Sequence, residues 1–290
     1  MSYYGLPVLK RPHWKWHVPL YFFLSGLAGA SYLIATVGEW LGSRADRPIV
    51  AAGRRLALGG VVAGVPLLVE DLGRPARFHH MLRIVKPRSP MSAGSWALAF
   101  FGAFAAGSAL LQELAAPSWL RRAVGLCGLP FATFVASYTG VLLAATAVPL
   151  WAKARLFLPP LFLLSGTSTA VATIGLLSRR SGRLRGLELV ALTGELCAVV
   201  GLVGAAGRRA GRPLLAGRQA GPFWLGAVGL GQVVPLLLHA GRARGHGRSG
   251  VPEGLAAGLV IVGGLLMRWT LVEAGKASAD DPEAALAYHG

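Results

Sequence analysis

Charge is scarce in this chain, and acid is scarcer still. Only 14% of its 290 residues are Asp, Glu, Lys or Arg, against roughly 25% in an ordinary soluble domain. That deficit excludes a water-facing surface over most of the chain, and hydrophobic residues make up 54% of it. Acids number 12 against 29 Lys and Arg, for a formal net charge of +17. The basic residues are scattered over nearly every hydrophilic connection rather than gathered into a stripe with interleaved aromatics, so no nucleic-acid partner is expected. Their distribution fits anchoring to anionic lipid headgroups. The two cysteines, Cys127 and Cys197, lie far apart inside apolar runs. They make no disulfide or iron–sulfur pattern and read as core fillers. A P-loop lysine motif and a dinucleotide fingerprint are also missing. The histidines (His13, His17, His79, His80, His239, His246 and His289) fall in connections or at the ends of apolar runs. With no facing pair inside the spans to serve as axial ligands, no haem is expected.

What the chain does have is apolar runs of bilayer length. A hydrocarbon core of about 30 Å needs about 20 apolar residues as a helix. Such runs fall at about 18–37, 49–69, 95–114, 123–148, 156–177, 187–203, 222–240 and 254–272. The pattern predicts an all-α integral membrane protein: one polytopic domain over 1–290, its eight transmembrane helices forming two four-helix bundles. Both termini then share a side. Lys10, Arg11 and Lys15 precede the first run as in a signal peptide, but the run is of full span length without a small-x-small cleavage site. It is expected to be retained. Lys and Arg divide fifteen to thirteen between the two sides, with Arg268 inside a span, so the positive-inside rule does not set the orientation.

The most polar connection runs from Glu70 to Ser92, between the second and third runs. Within it, Asp71 and Arg74 are three residues apart and meet if the helix continues through them. They form either a solvated ion pair or a carboxylate that takes protons from a ligand at the interface. Arg54 and Arg55, near the start of the second run, are expected to snorkel to the interface. Tyr138 sits inside the fourth run beside Ser137 and Thr139. A buried phenol needs a partner, which is either a neighbouring helix or the oxygen of a bound ligand. Glu195 lies near the middle of the sixth run, where a carboxylate faces the bundle interior or water and is a functional candidate by default. It reads as a proton relay or as an interhelical hydrogen bond. The acidic tail from Asp280 to Glu283 is expected to be disordered.

Several short stretches, in order and spacing, resemble the NrfD/PsrC family, the membrane subunits of polysulfide-reductase-type complexes. They are Tyr4-Gly5-Leu6-Pro7 with Trp14-Lys15-Trp16, Gly26-Leu27-Ala28-Gly29, Asp71-Leu72-Gly73-Arg74-Pro75-Ala76-Arg77-Phe78, Lys86-Pro87-Arg88-Ser89-Pro90-Met91-Ser92, and Tyr138-Thr139-Gly140. The resemblance implies a quinol- and quinone-binding subunit that handles menaquinone or ubiquinone as an exchangeable substrate. It implies no haem or iron–sulfur cluster of the chain's own, and residence in the bacterial cytoplasmic membrane. It also implies a four-cluster ferredoxin-like iron–sulfur partner, linked to a molybdopterin or multihaem cytochrome catalytic subunit. Tyr138 matches the family's quinone-site tyrosine. Tyr21 stands where the polysulfide reductase version carries a histidine, and Val18 replaces an asparagine. His17, one turn before Tyr21, is the residue expected to compensate. The expected quinone contacts are therefore Tyr138, Tyr21 and His17, and the expected proton-transfer residues are Asp71, Arg74 and Glu195. Two other readings remain: a structural anchor without its own quinone site, and a subunit that translocates protons.

Overall fold

A computed structural model of the protein describes residues 9–72, 75–83, 85–86, 89–179, 181–243 and 253–284. It is all-α, with no strand among the described residues, and eight of its helices are long and apolar enough to cross a membrane. In sequence order the helices are α1 (His17–Leu41), α2 (Arg47–Glu70), α3 (Pro90–Glu113), α4 (Ser118–Ala144), the short α5 (Pro149–Lys153), α6 (Leu158–Ser178), α7 (Ser181–Ala210) and the short α8 (Arg212–Leu215). A π-helical segment (Pro222–Val233) then runs straight into α9 (Val234–Ala243), and α10 (Glu253–Ala279) follows.

Proline sits in the first turn of α2, α3, α5, α6 and the π-helical segment. Its missing N–H costs nothing there, and its fixed φ favours the helix start. At the other end, α6 stops on Arg179 in the left-handed conformation, φ 53°, a common way to close a helix. The turn after α1 is fixed by a capping box in which Ser43 and Asp46 bond reciprocally, satisfying two otherwise unpaired backbone donors.

Helices α1–α4 pack as one group, and α6, α7, the π–α9 helix and α10 pack as a second. Both groups meet on α1, which also touches α6 and α10. In its apolar stretch 78% of residues are buried, so α1 is the shared core. The small residues of its N-terminal half permit this. A Cβ at Gly29 would stand 2.6 Å from the Ala132 carbonyl oxygen of α4. One at Gly26 would stand 2.7 Å from an Arg268 guanidinium nitrogen. Backbones approach this closely only without a side chain between them.

The structure corrects several expectations. The fourth span ends at Ala144 rather than running to 148. Thr146 turns its hydroxyl onto the Leu143 carbonyl, and Pro149 cannot continue the preceding helix because it lacks the N–H. The backbone instead tucks α5 into the core, where buried Trp151 donates to the Leu271 carbonyl at 3.0 Å. The sixth span is longer than 187–203, covering Ser181–Ala210 with a break at Gly207, whose φ is 66°. The last span runs on to Ala279, which places Arg268 about three turns inside its helix. Arg54 does not snorkel. It is buried, donates to Gln112 at 2.6 Å and lies 3.6 Å from Glu39. Cys127 and Cys197 are exposed on the outside of the bundle instead of filling the core. Asp280 pairs with Arg11 at 3.3 Å, and Asp281 accepts from the Glu283 backbone at 3.0 Å, so this part of the tail is ordered.

Candidate functional site

Two clusters of polar residues meet along α1. The first lies at the end of the bundle where α1 begins, α2 ends and α3 begins, here called the rim. His17 opens α1 with its ring against Trp16, centroids 4.1 Å apart. It is 7% exposed, its Nε2 lies 3.5 Å from Glu70 Oε2, and its Nδ1 has no partner. Glu70 is the last residue of α2, and Asp71 is its cap, donating its N–H to the Leu67 carbonyl at 3.3 Å. Successive helical residues point about 100° apart, so the carboxylate facing His17 belongs to Glu70 rather than Asp71. Asp71 is half-buried beside it. Arg74, expected to back Asp71, lies outside the described residues.

Tyr21 follows His17 by one turn on the same face of α1 and is buried at the contact with α2. Tyr138 belongs to α4, which packs against α1. The Tyr138 hydroxyl donates to the Pro90 carbonyl at the start of α3, at 2.5 Å, and its ring stacks on Phe134. The ring occupies the space that a side chain at Gly94 would need. The hydroxyls flanking Tyr138 do not join it: Ser137 bonds back to the Thr133 carbonyl at 2.9 Å, and buried Thr139 Oγ1 has no partner. No hydrogen bond holds the Tyr21 hydroxyl among the described residues. Two phenols, an imidazole and a carboxylate thus lie at this end of the bundle, supplying donors, acceptors and exchangeable protons.

The second cluster lies deeper, around Glu195 of α7. Glu195 is 2% exposed and accepts from the Ser168 hydroxyl at 2.9 Å. Ser165, one turn before Ser168 on α6, faces the same carboxylate. Its hydroxyl also accepts from Arg268 Nη1 at 2.9 Å. Arg268 completes its shell with the carbonyls of Phe22, Gly264 and Phe162 at 3.1, 2.8 and 3.3 Å. Its guanidinium also lies over the rings of Phe23 and Phe162. Gln232, near the end of the π-helical segment, is buried at the carboxylate with neither amide atom in a good hydrogen bond. A buried charge is tolerated when it is hydrogen-bonded; Arg268 and Glu195 make no direct ion pair, and Ser165 bridges them, accepting from Arg268 and facing the carboxylate. Arg268 also joins the two clusters, because it bonds the carbonyl of Phe22, next to Tyr21.

Among the described residues, no three His, Cys, Asp or Glu side chains gather so that they could hold a metal ion. The family model described as "Polysulphide reductase, NrfD" matches residues 9–279, nearly the whole sequence. The chain belongs to the NrfD family. Two curated relatives agree along most of their length. The C chain of polysulfide reductase from Wolinella succinogenes is 29% identical over 300 residues, covering 91% of this protein and 94% of the relative. Protein NrfD of Escherichia coli K12 is 28% identical over 305 residues, covering 91% and 95%.

In this NrfD-family protein His17 and Tyr21 lie one turn apart on α1, Tyr138 bonds the start of α3, and Asp71 caps α2 next to Glu70, while Glu195 stands apart at mid-depth. Sequence reasoning missed Glu70, Arg268 and Gln232 as members of the clusters. The available signals were an acid next to Asp71, an arginine inside an apolar run, and Ser165 and Ser168 one helical turn apart.

Proposed function

We propose that this protein is the quinone-handling membrane subunit of a respiratory oxidoreductase in the bacterial cytoplasmic membrane. The observation that carries the reading is the placing of buried Tyr21 of α1 and Tyr138 of α4, the latter bonded to Pro90, at the end of the bundle that holds the His17–Glu70 pair. The names of the two relatives, a polysulfide reductase subunit and an NrfD protein, support membership in such a complex.

Oxidising a quinol to a quinone releases two electrons and two protons. The electrons pass directly to the nearest cluster of a four-cluster ferredoxin-like iron–sulfur subunit docked on the rim. A molybdopterin or multihaem cytochrome subunit beyond it completes the reaction. The residues of the membrane subunit bind and orient the ring and take the protons. Tyr138 and Tyr21 hydrogen-bond the quinone oxygens, whether of menaquinone or ubiquinone. His17, with Glu70 behind it, accepts a proton through its free nitrogen. Asp71 takes protons at the mouth, with Arg74 three residues on in sequence, and Glu195 is the relay, met by the Ser165 and Ser168 hydroxyls. The same groups serve quinone reduction when electrons flow the other way.

Titration of the purified full-length protein with a short-tailed quinone tests this. Tyr138→Phe and Tyr21→Phe each remove one hydrogen bond of about 1 kcal/mol and should weaken binding about fivefold. Absence of saturable binding, or affinity unchanged in both variants, would reduce the protein to a structural anchor.

A further inference from the structure

At the other end of the bundle a cavity of about 240 Å³ opens between α6, α7, α9 and α10. Its lining includes Glu188 and His239, exposed 4% and 7%. His239 Nε2 stands 3.2 Å from Glu188 Oε2, yet neither ring nitrogen closes a hydrogen bond of good geometry. The other charged residues lining the space are Arg179 at the end of α6, Arg185 of α7 and Glu253 of α10, the last two paired at 3.8 Å. An imidazole and a carboxylate in contact, nine-tenths buried and facing room for several waters at roughly 30 Å³ each, form a proton-exchanging pair.

The position of this pair gives it a destination. Glu188 precedes Glu195 by seven residues on α7, and His239 follows Gln232 by seven on the π–α9 helix. Seven residues are about two turns, so each helix carries both of its polar groups on one face, about 10 Å apart in depth. Glu195 and Gln232 form the inner rung, and Glu188 and His239 form the outer one. Between the rungs lies a compact apolar cluster of Ala172, Leu192 and Val260, with Leu236, Ala257 and Ile261 packed against it. An apolar constriction between two hydrated or polar sites blocks water and protons until it wets.

The geometry points to a proton port on the face opposite the rim. Glu188 and His239 exchange protons with bulk water there and pass them to Glu195 when the Leu192–Leu236–Val260 plug opens. Each transfer breaks one N–H or O–H bond and forms another, and no other reactant is needed. The inference rests on Glu195 as the relay residue of the proposed function, and it adds a second route to that residue from the far side of the membrane.

Two experiments test it. In the full-length protein with Cys127→Ala and Cys197→Ala, a single cysteine at Ala257 should react with a charged, membrane-impermeant thiol reagent added from the far face. One at Val260 should react at least tenfold more slowly. Equal protection of both, or labelling of Ala257→Cys from the rim face alone, would overturn the port. In the second, the complex is captured through a tag on this subunit and reconstituted in liposomes. Proton uptake from the far face during quinone reduction should fall at least fivefold in Glu188→Gln and His239→Gln and survive in Glu188→Asp. Quinone binding should stay within twofold of wild type in all three. Wild-type uptake in folded Glu188→Gln and His239→Gln preparations would refute the proposal. A wild-type protein that binds no quinone would remove the proposed function, while the thiol experiment would still decide the port.

Discussion

Replacing Arg268 with methionine keeps an unbranched apolar stem and removes the charge and all the donors. Three of its hydrogen bonds cross to other helices, reaching Phe22 of α1 and Phe162 and Ser165 of α6. Interhelical hydrogen bonds in membranes contribute about 0.6 kcal/mol each on average, so their loss alone is worth about 2 kcal/mol. A second effect falls on Glu195, which is 2% exposed and keeps only its hydroxyl and amide neighbours once the Arg268–Ser165 bridge is gone. Leaving a buried polar group under-satisfied costs about 1–3 kcal/mol. Arg268→Met should therefore destabilise the protein by about 4 kcal/mol in all. The double variant Arg268→Met with Glu195→Gln should be more stable than the two single losses added together, by at least about 1 kcal/mol. Mixed-micelle unfolding of the reconstituted protein, followed by circular dichroism, measures both quantities. A loss below about 1 kcal/mol for the single change, or additivity within about 0.5 kcal/mol, would refute the view that the two residues act as one unit.

Further outcomes follow from the same packing. Gly94→Val places atoms where the Tyr138 ring lies and should lower quinone affinity by at least the fivefold expected of Tyr138→Phe, measured by the same titration. Gly231 of the π-helical segment meets Gly263 of α10 so closely that a Cβ there would stand 2.5 Å from Gly263 Cα. Gly231→Ala should cost about 1–3 kcal/mol of stability in the same unfolding assay, because neither backbone can yield. Trp151→Phe deletes the buried donor to the Leu271 carbonyl and should cost about 1–3 kcal/mol by the same measurement. Arg55→Gln, by contrast, breaks a 2.8 Å pair with Glu113 whose side chains are 66% and 55% exposed. Its effect on unfolding should stay within about 1 kcal/mol.

The sequence by itself determined the class of this protein. Eight apolar runs of bilayer length leave an all-α membrane bundle as the solution, because a backbone inside lipid must satisfy its own hydrogen bonds. It also marked Tyr138 and Glu195 as candidates, since polar groups inside apolar runs are few, while Tyr21 and His17 became candidates through the family resemblance. Partners were decided only in three dimensions. Which acid faces His17 depends on where α2 ends, and a rotation of about 100° per residue gives that place to Glu70 rather than Asp71. Arg268 could be counted inside the last apolar run, but only the packing of α10 sets its guanidinium against carbonyls of α1 and α6. Cys127 and Cys197 lie in runs as apolar as any core segment, yet they face outward. Hydrophobicity does not separate a lipid-facing position from a buried one when lipid is as apolar as the protein interior. The two polar rungs along α7 and the π–α9 helix could be counted in the sequence. That they face one another across an apolar plug is a property of the packing alone.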